Sequence, residues 1–168
     1  VVMVVAAPVA PHAWRVADGG VAVAPGRWVR RYAALPADAR LGAWVHELAH
    51  LLLGWADLPA SPCLMGAGAW REAAHRPAPP CPALALAAGW MTLLPPDASM
   101  PASAIGPHAA VLLEGAARRL LITRDGEEFA IHDGDVPGAP LAVGRLADPD
   151  APLLGAVAGA LGMSWDRW

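Results

Sequence analysis

Two histidines and a glutamate stand close together in the segment HELAH, as His46, Glu47 and His50. Residues four apart lie one turn apart on the same face of a helix, so both imidazole rings can direct a nitrogen toward one metal ion. Glu47 flanks that face, which suits a carboxylate that takes a proton from metal-bound water and passes it to a leaving amine. The spacing predicts hydrolysis assisted by zinc, Zn2+, with Glu47 as the base.

The motif is too specific to be an accident of composition. Six histidines and five glutamates in 168 residues give about 0.006 chance matches to HExxH in a chain of this make-up. Leu48 and Ala49, between the motif's charged residues, are compatible with a helix, and no Pro or Gly interrupts the segment. We therefore interpret His46 and His50 as metal ligands.

A catalytic zinc ion usually takes three protein ligands, so a third one is required. Asp57 is the nearest candidate, seven residues after His50 and beyond Gly54, which can end a helix in a left-handed conformation and turn the chain back. Glu72 and His75 are the alternatives, reached from a second helix. The sequence alone does not decide between Asp57 and these two residues.

The helix that carries the motif is predicted to begin after Pro36, with Asp38 as its N-cap, and to end at Gly54. Its apolar residues recur at helical spacing, as Leu41, Trp44, Val45, Leu48 and Leu52.

Around this helix the pattern predicts strands and an irregular lobe. The apolar run Val1 to Ala7 predicts a buried strand, and Val21 to Val23 with Trp28 to Tyr32 predicts a second strand region. Frequent Pro and Gly from Pro59 to Pro82 predict an irregular lobe with one short helix near residues 70–75.

The later part of the chain is predicted to be rich in β structure. Leu84 to Leu94 fits a helix or a strand, and Ala151 to Leu161 fits a helix. The strand candidates are Ala109 to Leu113, Leu120 to Thr123 and Glu127 to His132, the last two joined by the turn Asp125-Gly126.

Composition excludes several other classes. The net charge of -3 leaves no basic surplus for phosphates, so we expect no nucleic-acid partner. No apolar run is long enough for a membrane span. Cys63 and Cys81 stand beside prolines in turn-rich segments, which favours a disulfide over two thiols and leaves both open.

Other polar residues carry weaker signals. His12, His108 and His132 lack a helical partner and are interpreted as ordinary loop or strand residues. Asp133 and Asp135 flank Gly134, a pattern more typical of a polar turn than of a calcium site.

The segments HELAHLLLGWADL, SPCLMGAG and ALAAGWMTLLP together resemble the immune inhibitor A type of secreted bacterial metallopeptidases, within the wider metzincin group. The resemblance covers about Trp44 to Pro95. It implies zinc bound by His46, His50 and Asp57, Glu47 as base, Met65 beneath the metal, and secretion. This chain has three residues between His50 and Gly54, where the family pattern HExxHxxGxxD has two.

These observations predict an α+β, zincin-like fold, in which a small twisted sheet packs on the active-site helix. Residues 1–98 would form the catalytic core, and 99–168 a β-rich part packed with it as one unit. The predicted function is a zinc metalloendopeptidase acting on peptides or proteins. The alternatives are a catalytically idle module of the same fold, which binds or supports other molecules, and a zinc hydrolase of non-peptide amides. The sequence predicts no particular oligomeric state.

Overall fold

The computed structural model describes residues 1–59, 61–97, 99–115, 118–135, 139–146, 148 and 150–162 of the chain. It divides into two compact units, Val1–Pro80 and Cys81–Trp168. The division falls earlier than the boundary after residue 98 that the sequence predicted. Residues 163–168, within the predicted β-rich part, lie outside the described residues. Both units combine helices and strands, so the fold class is α+β.

The first unit contains a mixed three-stranded sheet. Strand β1 (Val2–Val5) runs parallel to β5 (Arg31–Pro36), and β2 (His12–Arg15) pairs with the other edge of β5 in the antiparallel sense. The prediction of a buried first strand is wrong, because Val2 and Val4 are 41% and 58% exposed. As an edge strand, β1 has a neighbour on one side only.

The predicted second strand region divides into separate elements. Strands β3 (Val21–Ala24) and β4 (Arg27–Val29) form a two-stranded antiparallel sheet, and β5 belongs to the three-stranded sheet. The break falls at Gly26, whose φ of 72° is easily adopted only without a Cβ.

The HELAH segment lies in helix α1 (Leu41–Leu53), which packs on β5 and β2. Ala33, Leu35 and Ala43 form the buried centre of this contact. The prediction of Asp38 as N-cap is wrong: a turn closed by Ala39 N–H to the Pro36 carbonyl comes first, and the N-cap is Arg40, without a side-chain bond.

An irregular lobe follows α1, as the Pro and Gly content predicts. A 3-10 turn at Ala67–Trp70 leads into a short helical segment, α2 (Arg71–Ala74), in which Glu72 and Ala73 have left-handed dihedral angles. The lobe lies close to α1, because a Cβ on Gly42 would stand 1.9 Å from the Ala69 carbonyl oxygen. Only glycine permits this approach.

The second unit is built on a five-stranded sheet in the order β10-β9-β8-β7-β6. The elements are α3 (Pro82–Ala87), β6 (Thr92–Leu94), β7 (Ala109–Glu114), β8 (Arg119–Asp125), β9 (Glu128–Asp133), β10 (Ala142–Arg145) and α4 (Leu153–Leu161). The ambiguous stretch Leu84 to Leu94 holds both a helix end and a strand. The predicted hairpin is confirmed, with Asp125 paired to Glu128.

The core of the second unit lies between this sheet and α4, with Ile122, Ile131, Leu153 and Val157 at most 1% exposed. Among the described residues, no helix combines the length and apolar character that crossing a membrane requires.

Candidate metal centre

Three donor atoms from α1 and the loop after it converge on one point. The Nε2 atoms of His46 and His50 are 3.1 Å apart, and the Asp57 Oδ1 lies 3.1 Å from the first and 3.3 Å from the second. In a tetrahedral zinc site with bonds of about 2.0–2.1 Å, neighbouring donors stand about 3.3 Å apart. The observed separations fit that geometry on all three edges.

Backbone carbonyls orient both rings. The His46 Nδ1 is 2.9 Å from the Leu64 carbonyl oxygen, and the His50 Nδ1 is 2.5 Å from that of Trp55. A carbonyl oxygen only accepts, so each Nδ1 carries the hydrogen and donates it. In the neutral rings both Nε2 lone pairs then face each other and the Asp57 carboxylate. A cation between these atoms would be bound by all three acceptors, and carbonyl-bound Nδ1–H groups are typical of histidine metal ligands.

The loop that delivers Asp57 begins at the end of α1. Gly54 has φ 68° and ψ 21°, and its N–H donates to the His50 carbonyl, so the helix ends in the left-handed turn that the sequence predicted. The next residue, Trp55, is buried and gives the carbonyl that holds His50. The additional residue before Gly54 lies within the last turn of α1, and the chain still returns Asp57 to the two histidines.

The alternative third ligands lie elsewhere. The Glu72 side chain is 56% exposed and forms an ion pair with Arg76 at 3.8 Å, and His75 is exposed. Among the described residues, the cluster with metal-ligand spacing consists of His46, His50 and Asp57. Neither Glu72 nor His75 belongs to it.

Glu47 is a buried carboxylate that faces the same cavity. The residue is 4% exposed, and its Oε2 has no hydrogen-bond partner among the described residues. Burial raises its pKa, the His46 and His50 rings oppose that effect, and the Asp57 carboxylate adds to it. A desolvated carboxylate with a raised pKa and an unused oxygen is suited to accept a proton.

The donor atoms open into a cavity of about 800 Å³. Met65, which the family resemblance puts beneath the metal, is fully buried and lines this cavity. Trp70 forms part of its wall, with its ring centre 5.9 Å from that of His46. The first unit therefore encloses the predicted ligands and base in one accessible pocket.

Strand β2 contributes residues that sequence reasoning did not assign to the site. His12 and Trp14 line the cavity, so the interpretation of His12 as an ordinary residue misses its position. The His12 Nδ1 is 2.9 Å from the Ala10 carbonyl oxygen, and its ring packs edge-on against Tyr32. The sequence does show that a histidine is present at position 12. The strand pairing that brings it to α1 is not visible in the local pattern.

The remaining candidate residues take no part in the centre. Cys63 and Cys81 are buried thiols rather than a disulfide, contrary to the disulfide that their flanking turns favour. Asp135 forms an ion pair with Arg119, and its N–H is 2.8 Å from the Asp133 carboxylate. These contacts are those of a polar turn.

Comparison with protein-family models, with curated proteins and with solved structures finds no match to this chain. Its function is therefore inferred from the geometry of the site.

Proposed function

We propose that this chain is a zinc-dependent peptidase of zincin-like fold, in which His46, His50 and Asp57 hold the metal. The observation that carries the proposal is the spacing of the three donor atoms, 3.1, 3.1 and 3.3 Å, with both histidines oriented by backbone carbonyls. A zinc ion held there supplies Lewis acidity, which polarises a carbonyl and makes water a nucleophile near neutral pH.

The chain's own part in the chemistry is assigned to Glu47. Its buried carboxylate accepts the proton that the attacking water loses and returns it to the leaving amine. Desolvation supports this role because it raises the pKa of the carboxylate toward neutral pH, where a group can both take and give a proton.

Strand β2 favours a peptide over a small amide as substrate. It is an edge strand of the three-stranded sheet, and three of its residues, His12 to Trp14, line the cavity beside the donor atoms. The outer N–H and C=O groups of an edge strand bind an extended peptide by adding it to the sheet. Such a peptide would lie beside the ligands. By the family resemblance, the proposed place of action is outside the cell.

The experiment is a cleavage assay with the chain loaded with one equivalent of zinc and a broad library of quenched fluorescent peptides. We expect cleavage of library peptides, which a chelator should abolish and added zinc should restore. Glu47→Gln should retain zinc while cleavage falls by about 100-fold to 10,000-fold. Wild-type protein that binds zinc stoichiometrically and cleaves no library member would instead support a catalytically idle module.

A further inference from the structure

A second, smaller cavity adjoins the candidate metal centre on the His50 side. It measures about 240 Å³ and shares Ala13, Trp14 and His50 with the larger one. Its lining includes two arginines, Arg15 and Arg31, so we call it the arginine cavity. It lies within the first unit.

The two arginines stand directly opposite each other. Arg15 ends β2, Arg31 begins β5, and the antiparallel register pairs the two residues. Like charges at directly opposed positions destabilise a sheet. Both side chains are exposed, and among the described residues neither guanidinium forms an ion pair. An anion bound between Arg15 and Arg31 would reduce their mutual repulsion.

The residues around the two arginines shape the cavity into which they project. A Cβ on Gly54 would be 4.0 Å from the Arg31 Nη1, so this guanidinium reaches the cavity beside the last turn of α1. The exposed Trp14 and the buried Trp55 provide apolar walls. Two planar guanidinium groups at the edge of this cavity suit a carboxylate, which guanidinium groups bind through paired hydrogen bonds.

We propose that the arginine cavity is a subsite for a substrate carboxylate next to the scissile bond. The inference depends on the proposed peptidase function and names its preferred substrates: peptides with an acidic side chain within a residue or two of the bond, or with a free C-terminal carboxylate there. Successive residues of an extended peptide are about 3.3 Å apart. Because the two cavities share Ala13, Trp14 and His50, a side chain one or two residues from the scissile bond would be close enough to enter the smaller one.

The test uses three matched peptides that are cleaved at one bond: one with an internal Glu and an amidated C-terminus, the same peptide with Gln, and the Gln peptide with a free C-terminus close to the bond. We expect kcat/KM for one of the acidic peptides to exceed that for the neutral amide by about 10-fold or more. The preferred peptide shows whether the cavity binds a side-chain carboxylate or a C-terminal one.

The variant Arg15→Gln with Arg31→Gln should bring the ratio of acidic to neutral kcat/KM to within about twofold of one. Arg27→Gln with Arg30→Gln removes the same charge from exposed positions of the first unit that do not line the cavity, and should preserve the ratio. Because the first pair of substitutions removes a repulsion, it should not lower the melting temperature. Equal rates on all three peptides in the wild type would overturn the subsite while leaving the peptidase intact.

A binding measurement separates the two proposals. Zinc-loaded Glu47→Gln protein is titrated with the same peptides by calorimetry. The subsite is supported if an acidic peptide binds more tightly than the neutral one and if adding Arg15→Gln and Arg31→Gln removes the difference. This result would support the subsite even where the wild type cleaves nothing. Equal binding of acidic and neutral peptides contradicts it.

Discussion

The Nε2 atoms of His46 and His50 face each other at 3.1 Å, while both Nδ1 atoms are engaged by backbone carbonyls. Two neutral imidazoles in this arrangement oppose their lone pairs, and the nearby Asp57 carboxylate adds a further acceptor. A zinc ion between them would be coordinated by all three acceptors. Binding of zinc should therefore raise the melting temperature in proportion to the logarithm of zinc concentration above Kd.

Replacing Asp57 with Ala removes one of three donors. We expect the Kd for zinc to rise by about 100-fold or more, because two histidines on one helix leave the site incomplete. Asp38→Ala removes an exposed carboxylate from the same unit and should leave the Kd unchanged. Competition with a chromophoric chelator measures both, and equal Kd values for Asp57→Ala and wild type would exclude Asp57 as a ligand.

Replacing Glu47 with Gln separates binding from chemistry. Since Glu47 is proposed as base and not as ligand, the Kd for zinc should change by no more than about threefold, while kcat falls by about 100-fold to 10,000-fold. Glu72→Gln is the matched control, because that carboxylate is exposed and paired with Arg76. Glu72→Gln should keep both its zinc and its activity. If it loses zinc instead, Glu72 would be favoured as the third ligand.

The raised pKa of Glu47 predicts a pH dependence of stability in the metal-free protein. The folded state holds the Glu47 proton more tightly than the unfolded chain, whose pKa is about 4.3. Its contribution to the free energy of unfolding is therefore fully present below that pH and is lost as the pH rises through the folded pKa. Glu47→Gln has no titrating group at this position, so it lacks this pH-dependent contribution to the free energy of unfolding. Urea unfolding with a chelator present should show the wild type losing stability relative to Glu47→Gln as pH rises, and parallel curves would refute the assignment.

Gly54 is predicted to matter through its backbone. With φ at 68°, an alanine there is strained by about 1–2 kcal/mol, and relief of that strain would displace the Trp55 carbonyl and Asp57. Gly54→Ala should lower both the melting temperature and the affinity for zinc. Gly155→Ala is the control: that position is inside α4 with open space around it, so the change should stabilise the protein by about 0.5–1 kcal/mol and leave zinc affinity unchanged. Unchanged zinc affinity in Gly54→Ala would show that the turn does not position Asp57.

The features predicted well from the sequence are local ones. The helical spacing of His46 and His50 and the helix-ending role of Gly54 depend on residues within two turns of each other, and the structure has both. The start of α1 was missed because Asp38 is a good N-cap in isolation, whereas the hydrogen bond from Ala39 to Pro36 forms a turn there. Pairing with the distant strand β1 extends to this point, where the Ala37 N–H donates to the Val5 carbonyl oxygen, and the local pattern does not reveal that pairing.

The features that could not be predicted depend on pairing between distant segments. His12 and Trp14 reach the site only because β2 pairs with β5, some twenty residues later in the chain, and β5 packs on α1. The opposition of Arg15 and Arg31 has the same origin. The exposure of β1 also depends on distant segments: α1 packs on β5 and β2, and residues on both faces of β1 remain exposed, which an apolar run does not reveal.

An anomalous diffraction map at the zinc edge, from crystals of the zinc-loaded chain, would show directly whether His46, His50 and Asp57 bind the metal. This ligand assignment predicts one peak, at about 2.0–2.2 Å from the His46 Nε2, the His50 Nε2 and the Asp57 Oδ1. Absence of a peak there in protein saturated with zinc, or a peak bonded to Glu72 or His75 in place of Asp57, would contradict it.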